Sequence, residues 1–367
     1  MSEVIKDIGG KESIRILVLS KYARNGASSR YRTYQYLPFF EQLDIEVKVM
    51  PLFDESYIDQ LYNSGKVSRV EYFRAFLRRI SSLVTVYHYD VVLIEYEVFP
   101  YFPALFERLL SWTGIKYLVD YDDALFHQYD MHPSWLVRRL LGNKIATVMK
   151  LSEVVIAGNG YLMDYAKLAG SKRVEVIPTV VDLDNYPLTV NNKRHNSKFT
   201  IGWIGSPTTA RYLQLICPAL REFCEASGSH VRIVGSGEIE LPGVDIEIVE
   251  WSEEDEIEML HTFDVGIMPL PNEYWARGKC GFKLIQYMAC GLPVIASPVG
   301  VNSDIVEHGV NGFLAKTTEE WVAALNALLS DSLLRQNMGE AGRSKVERQY
   351  SLQVTAPHLA GILSSVA

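Results

Sequence analysis

Cysteine is scarce in this chain of 367 residues, and its four copies form no recognisable pattern. Cys217, Cys224, Cys280 and Cys290 include no C-x-x-C pair, and all of them lie in the second half of the sequence. This usage argues against a disulfide framework and against a cysteine-rich zinc site. The sequence therefore predicts a protein of a reducing compartment, and we expect it in the cytoplasm.

Long apolar runs and an excess of positive charge are also missing. The first twelve residues are polar and contain no signal-peptide core, and no apolar run reaches transmembrane length. These absences predict a soluble chain, with contact at the inner face of the cell membrane left open. The net charge of −8 argues against a general nucleic-acid binder.

The charge is distributed unevenly along the chain. Residues 1–190 carry 22 Lys and Arg against 23 Asp and Glu, whereas the remaining residues carry 14 against 21. The first half is therefore the better suited of the two to meet anionic partners.

Short apolar runs alternate with helical patterns throughout the first half. The runs predict strands at 14–19, 45–50, 91–94, 116–119, 154–157 and 174–178, and helices are predicted at 30–42, 68–86, 102–111, 133–150 and 161–168. Regular alternation of strand and helix predicts an α/β class with a parallel sheet covered on both faces.

The same alternation restarts after a polar segment at residues 186–198, which we interpret as a linker. Further strands are predicted at 200–204, 231–235, 246–249, 265–268 and 294–296. Two such units joined by one linker predict a cleft, with ligands beyond the carboxyl ends of the strands.

Residues 275–314 form the most informative stretch of the sequence. Gly278 and Gly281 allow the backbone to come close to a ligand, and an apolar helix at 282–289 follows at once. Lys279 and Lys283 add positive charge where the free N–H groups of that helix point. The stretch therefore predicts a site for a ligand that carries phosphate.

Several segments resemble the family-4 glycosyltransferases, which are retaining enzymes of the GT-B fold. The segments that carry the resemblance are QYMACGLPVIAS, DIVEHGVNGFL, VIPTVVD, IVGSG and TFDVGIMPL. The resemblance implies two Rossmann-like parallel-sheet domains that face a cleft. It implies an acceptor-binding domain at 1–190, a nucleotide-sugar-binding domain at 191–350, and a last helix at 351–367 that packs back on the first domain.

The resemblance also implies an activity. A sugar would pass from a nucleotide-diphosphate sugar to an acceptor hydroxyl with retention, independently of metal and of any cofactor besides the donor. A bacterial surface polysaccharide or a lipid-linked glycan is the acceptor that it suggests. Two alternatives stay open: an epimerase or hydrolase of the same fold, and a non-catalytic nucleotide-sugar-binding relative.

The resemblance carries donor-binding roles onto positions of the second domain. Arg211 and Lys283 would neutralise the departing diphosphate, and Gln286 takes the place of the second Glu of the family's E-x7-E motif. Gly278 stands where the first Glu is expected, and Glu273 is a candidate to reach the same space. The other donor-binding candidates are Gly205, Ser206, Trp251, Arg277, Lys279, Cys280, Gly281 and Phe282. For Trp251, a core position is the alternative.

The first domain offers a Gly-rich loop and a group of acids after its predicted strands. Gly26 would face the donor diphosphate, with Ser28 or Ser29 capping the next helix and with charge supplied by Arg30 and Arg32.

Asp120, Asp122 and Asp123 follow a strand in the order of a D-x-D metal motif, but the resembled fold does not use that metal site. We expect Asp122 or Asp123 to contact sugar hydroxyls, with helix capping by Asp123 as the alternative. The remaining candidates near this cluster are Glu95, Glu97 and His127.

Two helical segments of the first domain are both apolar and basic. Residues 71–86 and 133–150 each combine a stripe of large apolar side chains with arginines or lysines. Such helices bind anionic membrane surfaces in some proteins and pack their apolar stripe into a core in others. The sequence leaves both interpretations open.

Overall fold

The computed structural model describes residues 13–57, 60, 68–188 and 198–367. Its contacts divide the chain into two compact units, one of Met1–Thr179 with Thr355–Ala367 and the other of Val180–Val354. Each unit is built on one parallel sheet of six strands. The α/β class predicted from the alternation of apolar runs is therefore confirmed.

The sheet of the first unit has the strand order β2-β1-β3-β4-β5-β6. Its strands are β1 (Ile14–Leu19), β2 (Ile45–Val49), β3 (Val91–Glu95), β4 (Tyr117–Tyr121), β5 (Val154–Ala157) and β6 (Val174–Val176). Every residue of β3, β4 and β5 is buried. Continuous apolar strands of this kind are what a sheet covered on both faces requires.

Helices connect these strands along the chain. They are α1 (Ala27–Arg32), α2 (Leu37–Glu41), α3 (Arg69–Val84), α4 (Leu105–Trp112), α5 (His127–Asp130), α6 (Trp135–Leu141), α7 (Lys144–Leu151) and α8 (Gly160–Leu168), with 3-10 turns at Tyr34–Tyr36 and Val86–His88. Crossovers between parallel strands are right-handed, so the helices that lead from β2 to β3, β3 to β4 and β4 to β5 share one face of the sheet.

Two helices predicted as continuous are interrupted. The helix expected at 30–42 breaks at Thr33, whose backbone leaves helical geometry and whose hydroxyl donates to Glu95. Pro38, which has no N–H to donate, lies in the first turn of the helix that resumes. The helix expected at 133–150 divides into α6 and α7 at Gly142, where an added Cβ would lie 2.3 Å from the Arg138 carbonyl oxygen.

The sheet of the second unit has the order β12-β11-β10-β7-β8-β9. Its strands are β7 (Thr200–Ile204), β8 (His230–Val234), β9 (Ile246–Val249), β10 (Val265–Met268), β11 (Val294–Ala296) and β12 (Gly312–Leu314). The sequence predicted five of these within one residue. It missed β12, which begins at a glycine and, unlike the fully buried β11, has only two apolar residues, both half-buried.

The helices of the second unit surround a core centred on Trp203, Phe223 and Trp321. They are α9 (Pro207–Ala210), α10 (Cys217–Ser227), α11 (Glu256–Leu260), α12 (Tyr274–Arg277), α13 (Phe282–Ala289), α14 (Asn302–Ile305), α15 (Thr318–Ser330) and α16 (Ser332–Gln349), with 3-10 turns at Leu183–Asn185 and Arg211–Ile216. A last helix, α17 (Leu352–Val366), ends the chain.

The boundary between the units differs from the predicted one at residue 190. Val180 already belongs to the second unit, in which Val181 forms a bridge with Ser351. Tyr186, which we assigned to the linker, is buried. The remainder of the predicted linker, at 189–197, lies outside the described residues.

The last residues of the chain pack in the first unit. The Thr355 and Tyr36 hydroxyl oxygens lie 3.1 Å apart, and the Lys116 ammonium donates to the Val366 carbonyl at 2.8 Å. Among the described residues, no helix is both long enough and apolar enough to cross a membrane.

The central strand β7 depends on the absence of a side chain at Gly202. A Cβ added there would lie 1.9 Å from the Phe263 ring, which is itself fully buried. We expect Gly202→Ala to destabilise the second unit by about 1–3 kcal/mol because the ring has no room to move aside. Urea unfolding followed by circular dichroism measures the change. The control is Gly361→Ala in α17, where no atom lies within 4 Å and no loss is expected. A Gly202→Ala midpoint equal to that of the wild type would contradict this packing.

Candidate functional site

Lys283 is the centre of the candidate site in the second unit. It lies in the first turn of α13, and its ammonium is 5.3 Å from the centre of the Trp203 ring. A Cβ added at Gly205, directly after β7, would lie 2.5 Å from Lys283 Cε and 2.9 Å from its Nζ. The end of the lysine side chain therefore packs against the backbone of Gly205, where any larger residue would displace it.

The charge of Lys283 is not compensated by an acid. No carboxylate of the described residues forms an ion pair with it. Burial, together with the nearby charge of Lys279, lowers the pKa of Lys283 to about 8. An ammonium held in this way is a site prepared for an anion.

The helix that carries Lys283 begins at a glycine. Gly281 is its N-cap, with a φ of 67°, and an added Cβ would lie 2.3 Å from Ile305. No side chain of Gly281 is available to cap this end of α13, and the Leu284 N–H donates to the Gly281 carbonyl at 2.9 Å. Phe282 begins the helix, and Cys280 before it is a buried cysteine that forms no disulfide. The sequence predicted this helix with its observed bounds.

The other basic candidates divide into two groups. Lys279 lies 5.7 Å from the Trp275 ring centre and adds to the positive field at Lys283. Arg277 instead donates to Asn272 at 3.0 Å and lies over the Tyr274 ring. Gly278 is the C-cap of the short helix α12 and has a right-handed backbone conformation.

Arg211 lies apart from Lys283. It lines an open pocket of about 460 Å³ together with Pro207, Gln214, Glu238 and Glu240, and neither Gly205 nor Lys283 lines that pocket. Hydrogen bonding to Tyr212 raises the pKa of Arg211, and the charge of Glu273 contributes to the same shift. The structure thus places Glu273 near Arg211. Ser206 is the N-cap of α9, and its hydroxyl pairs with Thr208.

A buried polar network lies beside the glycines that follow β7 and β8. A Cβ added at Gly235 would lie 2.6 Å from the Gly205 carbonyl oxygen and 3.1 Å from Trp251 Cβ. The half-exposed Trp251 donates its indole N–H to Glu256 at 2.6 Å. Trp251 is therefore on the surface of the site and is not a core residue.

Gln286 takes part in the same network. Its amide nitrogen donates to Glu256 at 2.6 Å and to the Tyr186 hydroxyl at 3.1 Å. Both amide hydrogens are thus engaged, which leaves the side-chain oxygen as the acceptor that a ligand hydroxyl could use.

The sequence analysis missed Glu256. It lies in the acidic run SEEDEIEML, which looks like a solvated surface. The spacing of Glu256 and Leu260 could have indicated that the glutamate is buried. Residues four apart lie on the same side of a helix, and both are on the buried side of α11.

The first unit gathers hydroxyls around Asp122, directly after β4. Ser28 donates to one carboxylate oxygen of Asp122 at 2.7 Å, and the Tyr96 hydroxyl donates to the other. Burial raises the pKa of Tyr96 well above its usual range, and the charges of Asp122 and Asp123 raise it further. The Tyr96 backbone is left-handed, with a φ of 62°. A non-glycine residue held in this conformation is a sign of a functional constraint.

The predicted capping roles in this unit are wrong. Gly26 is the N-cap of α1, and neither Ser28 nor Ser29 caps it with a side chain. The Ser29 hydroxyl donates to Glu95 at 2.5 Å instead. Asp123 does not cap α5 either, because the N-cap of that helix is Phe126. The Asp123 carboxylate accepts from the Ala124 N–H instead.

Two predicted candidates of the first unit are buried in ion pairs. Arg32, which we expected to bind an anion, holds Asp120 through two of its nitrogens. The charge of Asp120 is therefore balanced by Arg32 in the interior of the unit. Asp122, in contrast, accepts hydrogen bonds from the hydroxyls of Ser28 and Tyr96. Among the described residues, no cluster of three or more acids, histidines or cysteines is arranged to hold a metal.

The two glutamates after β3 have different surroundings. Glu97 pairs with Lys144 and accepts from Tyr129 at 2.7 Å, so it has a structural role. Burial raises the pKa of Glu95 to about 7, although three hydrogen bonds oppose the shift. His127 bridges Asp130 at 3.0 Å and Tyr161 at 2.8 Å.

The second unit matches a known family of proteins. Residues 198–331 match the family described as glycosyl transferases group 1. N-acetyl-alpha-D-glucosaminyl L-malate synthase of Bacillus anthracis is 38% identical over 72 residues, which are 19% of each chain. Spore coat protein SA of Bacillus subtilis is 33% identical over 80 residues, 21% of each chain. The matches thus span about a fifth of the length of these curated relatives.

Solved structures show the same fold over nearly the whole chain. Sucrose-phosphate synthase of Thermosynechococcus elongatus has a TM-score of 0.70 at 14% identity, with 96% of this chain and 99% of that one covered. A glycosyltransferase of Rickettsia africae has a TM-score of 0.70 at 16% identity, with coverage of 97% and 99%. HepE of Anabaena, solved with UDP, has a TM-score of 0.65 at 16% identity, with coverage of 96% and 100%. The fold that the resemblance implied is therefore confirmed: the chain has the GT-B fold, and its residues 198–331 match the glycosyl transferases group 1 family.

Proposed function

We propose that this chain is a retaining glycosyltransferase that moves a sugar from a nucleotide-diphosphate sugar to an acceptor hydroxyl. The observation that carries the proposal is the uncompensated ammonium of Lys283, which lies against Gly205 at the start of α13. A diphosphate is the ligand that best fits a half-buried cation without an acidic partner, a second lysine and the positive end of a helix together.

The proposed chemistry depends on charge developing at the leaving group. As the glycosidic bond to the diphosphate breaks, negative charge grows on the phosphate oxygen. A cation fixed in a poorly solvated place stabilises that charge without having to reorganise. We assign this role to Lys283, with Lys279 as its support, and expect Arg211 to act at the edge of the donor site.

The remaining donor contacts follow from the network around Glu256. The oxygen of Gln286 would accept from a ribose hydroxyl, and the exposed side of Trp251 would face the base. UDP and UDP-glucose occupy HepE in its solved complexes, so uridine is the base to test first. In the first unit we assign Asp122, held by Ser28 and Tyr96, to a sugar hydroxyl.

Some parts of the proposal rest on the family resemblance alone. These are retention through front-face attack without a protein nucleophile, independence of metal and cofactor, and an acceptor in bacterial surface polysaccharide or glycolipid synthesis. With such an acceptor, the transfer reaction would take place in the cytoplasm.

A thermal-shift screen against UDP, GDP, dTDP, CDP and ADP, with and without Mg²⁺, tests the donor site. Because a ligand that binds only the folded state raises its stability, one nucleotide is expected to raise the melting temperature without metal. Nuclear magnetic resonance of the product from the matching nucleotide-sugar then shows whether the anomeric configuration is kept. Free sugar alone would indicate a hydrolase, a converted donor would indicate an epimerase, and binding without turnover would indicate a non-catalytic relative.

The substitution Lys283→Met separates a binding role from a structural one. Loss of one charged contact to phosphate is expected to weaken nucleoside-diphosphate binding between about 10- and 100-fold. The ligand-free variant is expected to melt at a higher temperature than the wild type at pH 7, because it no longer buries a charge. Isothermal calorimetry and thermal melting measure the two effects. Lys316→Met, at an exposed position, is the control that changes neither. Unchanged affinity in folded Lys283→Met would overturn the assignment.

Nucleotide binding is expected to depend on pH in the alkaline range. Only the protonated lysine attracts the diphosphate, and burial lowers the pKa of Lys283 to about 8. The terminal phosphate has its second pKa at about 6, so its charge changes little above pH 7. Affinity should therefore fall as the pH rises from 7 to 9, by up to about tenfold per unit above 8, and the range stops there because the uracil base loses its N3 proton at higher pH. Calorimetry across this range should give a flat profile for Lys283→Met, and an equally steep profile in that variant would contradict the role of Lys283.

The stability of the ligand-free protein should change with pH in the opposite direction. Between about pH 8 and pH 10.4, the unfolded chain holds a proton on this lysine that the folded chain has released. The contribution of Lys283 to stability therefore becomes more favourable as the pH rises through that window. Melting temperatures of wild type and Lys283→Met, compared at pH 7 and pH 9.5, should converge.

A further inference from the structure

Helix α3 has part of its apolar side turned away from the core of the first unit. Its exposed large side chains are Val70, Phe73, Leu77, Ile80 and Val84, which are between 44% and 73% exposed. Its buried residues are Ala75, Arg79 and Ser82. The helix therefore exposes large apolar side chains although it also packs Tyr72 and Phe76 against the buried Leu52 and Phe53. The core interpretation that the sequence left open holds for Phe76 and is wrong for Phe73, Leu77 and Ile80.

The neighbouring helices show the same feature. In α4, Trp112 is 84% exposed and lies on one stripe with the exposed Leu105 and Leu109. In α6, Trp135 is 65% exposed beside the exposed Leu136 and Leu140. Two tryptophans left in water are unusual, because this side chain carries the largest apolar area of any residue.

These helices are neighbours on one face of the sheet. They belong to the crossovers that right-handedness places together. A chain of aromatic rings joins α3 to α4, with centre distances of 4.9 Å from Phe76 to Phe99 and 4.8 Å from Phe99 to Phe106. Tyr101, in the loop before α4, contacts Tyr129 in α5 and His132 just after α5. The exposed side chains of α3, α4 and α6 therefore form one surface, which we call the basic apolar face.

The charge on this face has one sign. Within residues 68–88, 101–113 and 127–151, the exposed side chains of the four charged residue types are Arg69, Arg74, Arg108, Arg138, Arg139 and Lys150. The acids in these spans are Glu71, Glu107 and Asp130, and each is buried or half-buried. The chain as a whole has a net charge of −8, so this local excess of positive charge is opposite in sign to the net charge of the protein.

We propose that the basic apolar face binds the surface of an anionic lipid bilayer. Exposed tryptophan, phenylalanine and leucine enter the boundary between headgroups and acyl chains, while arginine and lysine attract anionic headgroups. The helices lie in the plane of the interface, and none of them needs to span the bilayer. The proposal rests on this face alone and does not depend on the proposed transferase activity.

Charge favours lipid over a second copy of this chain as the occupant. A symmetric dimer through this face would bring two sets of six cations together, and Glu71 compensates only Arg74 in each set. An anionic bilayer supplies both the apolar layer and the counter-charge that the face lacks.

Flotation of the full chain with lipid vesicles tests the proposal. We expect the protein to float with vesicles containing 30% phosphatidylglycerol in phosphatidylcholine, and to remain unbound with phosphatidylcholine alone. Binding should weaken strongly between 0.1 M and 0.5 M salt, since screening shortens the reach of the cations. Equal binding to both vesicle types, or none to either, would overturn the proposal.

Two pairs of substitutions separate the apolar and the basic contributions. Phe73→Gln with Trp135→Gln removes apolar anchors from two helices, and Arg108→Ala with Arg139→Ala removes two exposed cations. Each cation near the surface is worth about a fivefold change, so the second pair should lose about 30-fold in vesicle affinity. Neither pair replaces a buried residue, so both variants should fold like the wild type.

Matched substitutions in the second unit are the controls. Leu333→Gln changes an exposed leucine, and Arg221→Ala with Arg348→Ala removes two exposed cations elsewhere. These variants should bind vesicles like the wild type, and an equal loss in them would show that the effect is not local. Light scattering without lipid gives an independent check: a dimer that Phe73→Gln with Trp135→Gln disperses would assign the face to a second copy and overturn the lipid proposal.

Discussion

Parallel pairing of every strand is the constraint on which the rest of each unit depends. Parallel strands end at the same edge of a sheet, so the loops that follow them are brought together there. In the second unit this places Gly205 after β7 and Gly235 after β8 in backbone contact, with Lys283 and Trp251 on their two sides. In the first unit it brings Ser28, Tyr96 and Asp122 into one hydrogen-bonded group.

The same constraint determines which charges remain available. Arg32 and Asp120 neutralise each other, and Lys144 does the same for Glu97, so these four serve the interior of the first unit. Lys283 has no such partner among the described residues. A charge left in this state reduces the stability of the protein. If Lys283 binds the diphosphate as we propose, function and stability are opposed at this one residue, as is common for binding sites.

Sequence reasoning succeeded where the signal is local. The strand β11 and the helix α13 are bounded by glycine and proline, and both were predicted with their observed bounds. It failed where the answer depends on a distant part of the chain. The Ser29 hydroxyl reaches Glu95 across 66 positions, and Gln286 reaches Tyr186 across 100. No local pattern distinguishes such a contact from a helix cap or from a ligand-binding amide.

The orientation of α3 shows a second kind of limit. Its stripe of apolar residues was visible in the sequence, but periodicity gives only the existence of a face and not its direction. The direction was settled by Arg79, which is buried and donates to the carbonyls of Ser20 and Met50. Because the arginine is anchored inward by backbone groups of the first sheet, part of the apolar stripe is turned outward.

The left-handed backbone at Tyr96 has a consequence for how this sequence can change over time. Any residue with a Cβ loses about 1–2 kcal/mol in that conformation, and glycine does not. Mutation toward glycine at position 96 would therefore relax the backbone, yet it would also remove the hydroxyl that holds Asp122. The strained backbone and the hydroxyl belong to the same residue, so position 96 cannot take glycine without losing the contact to Asp122.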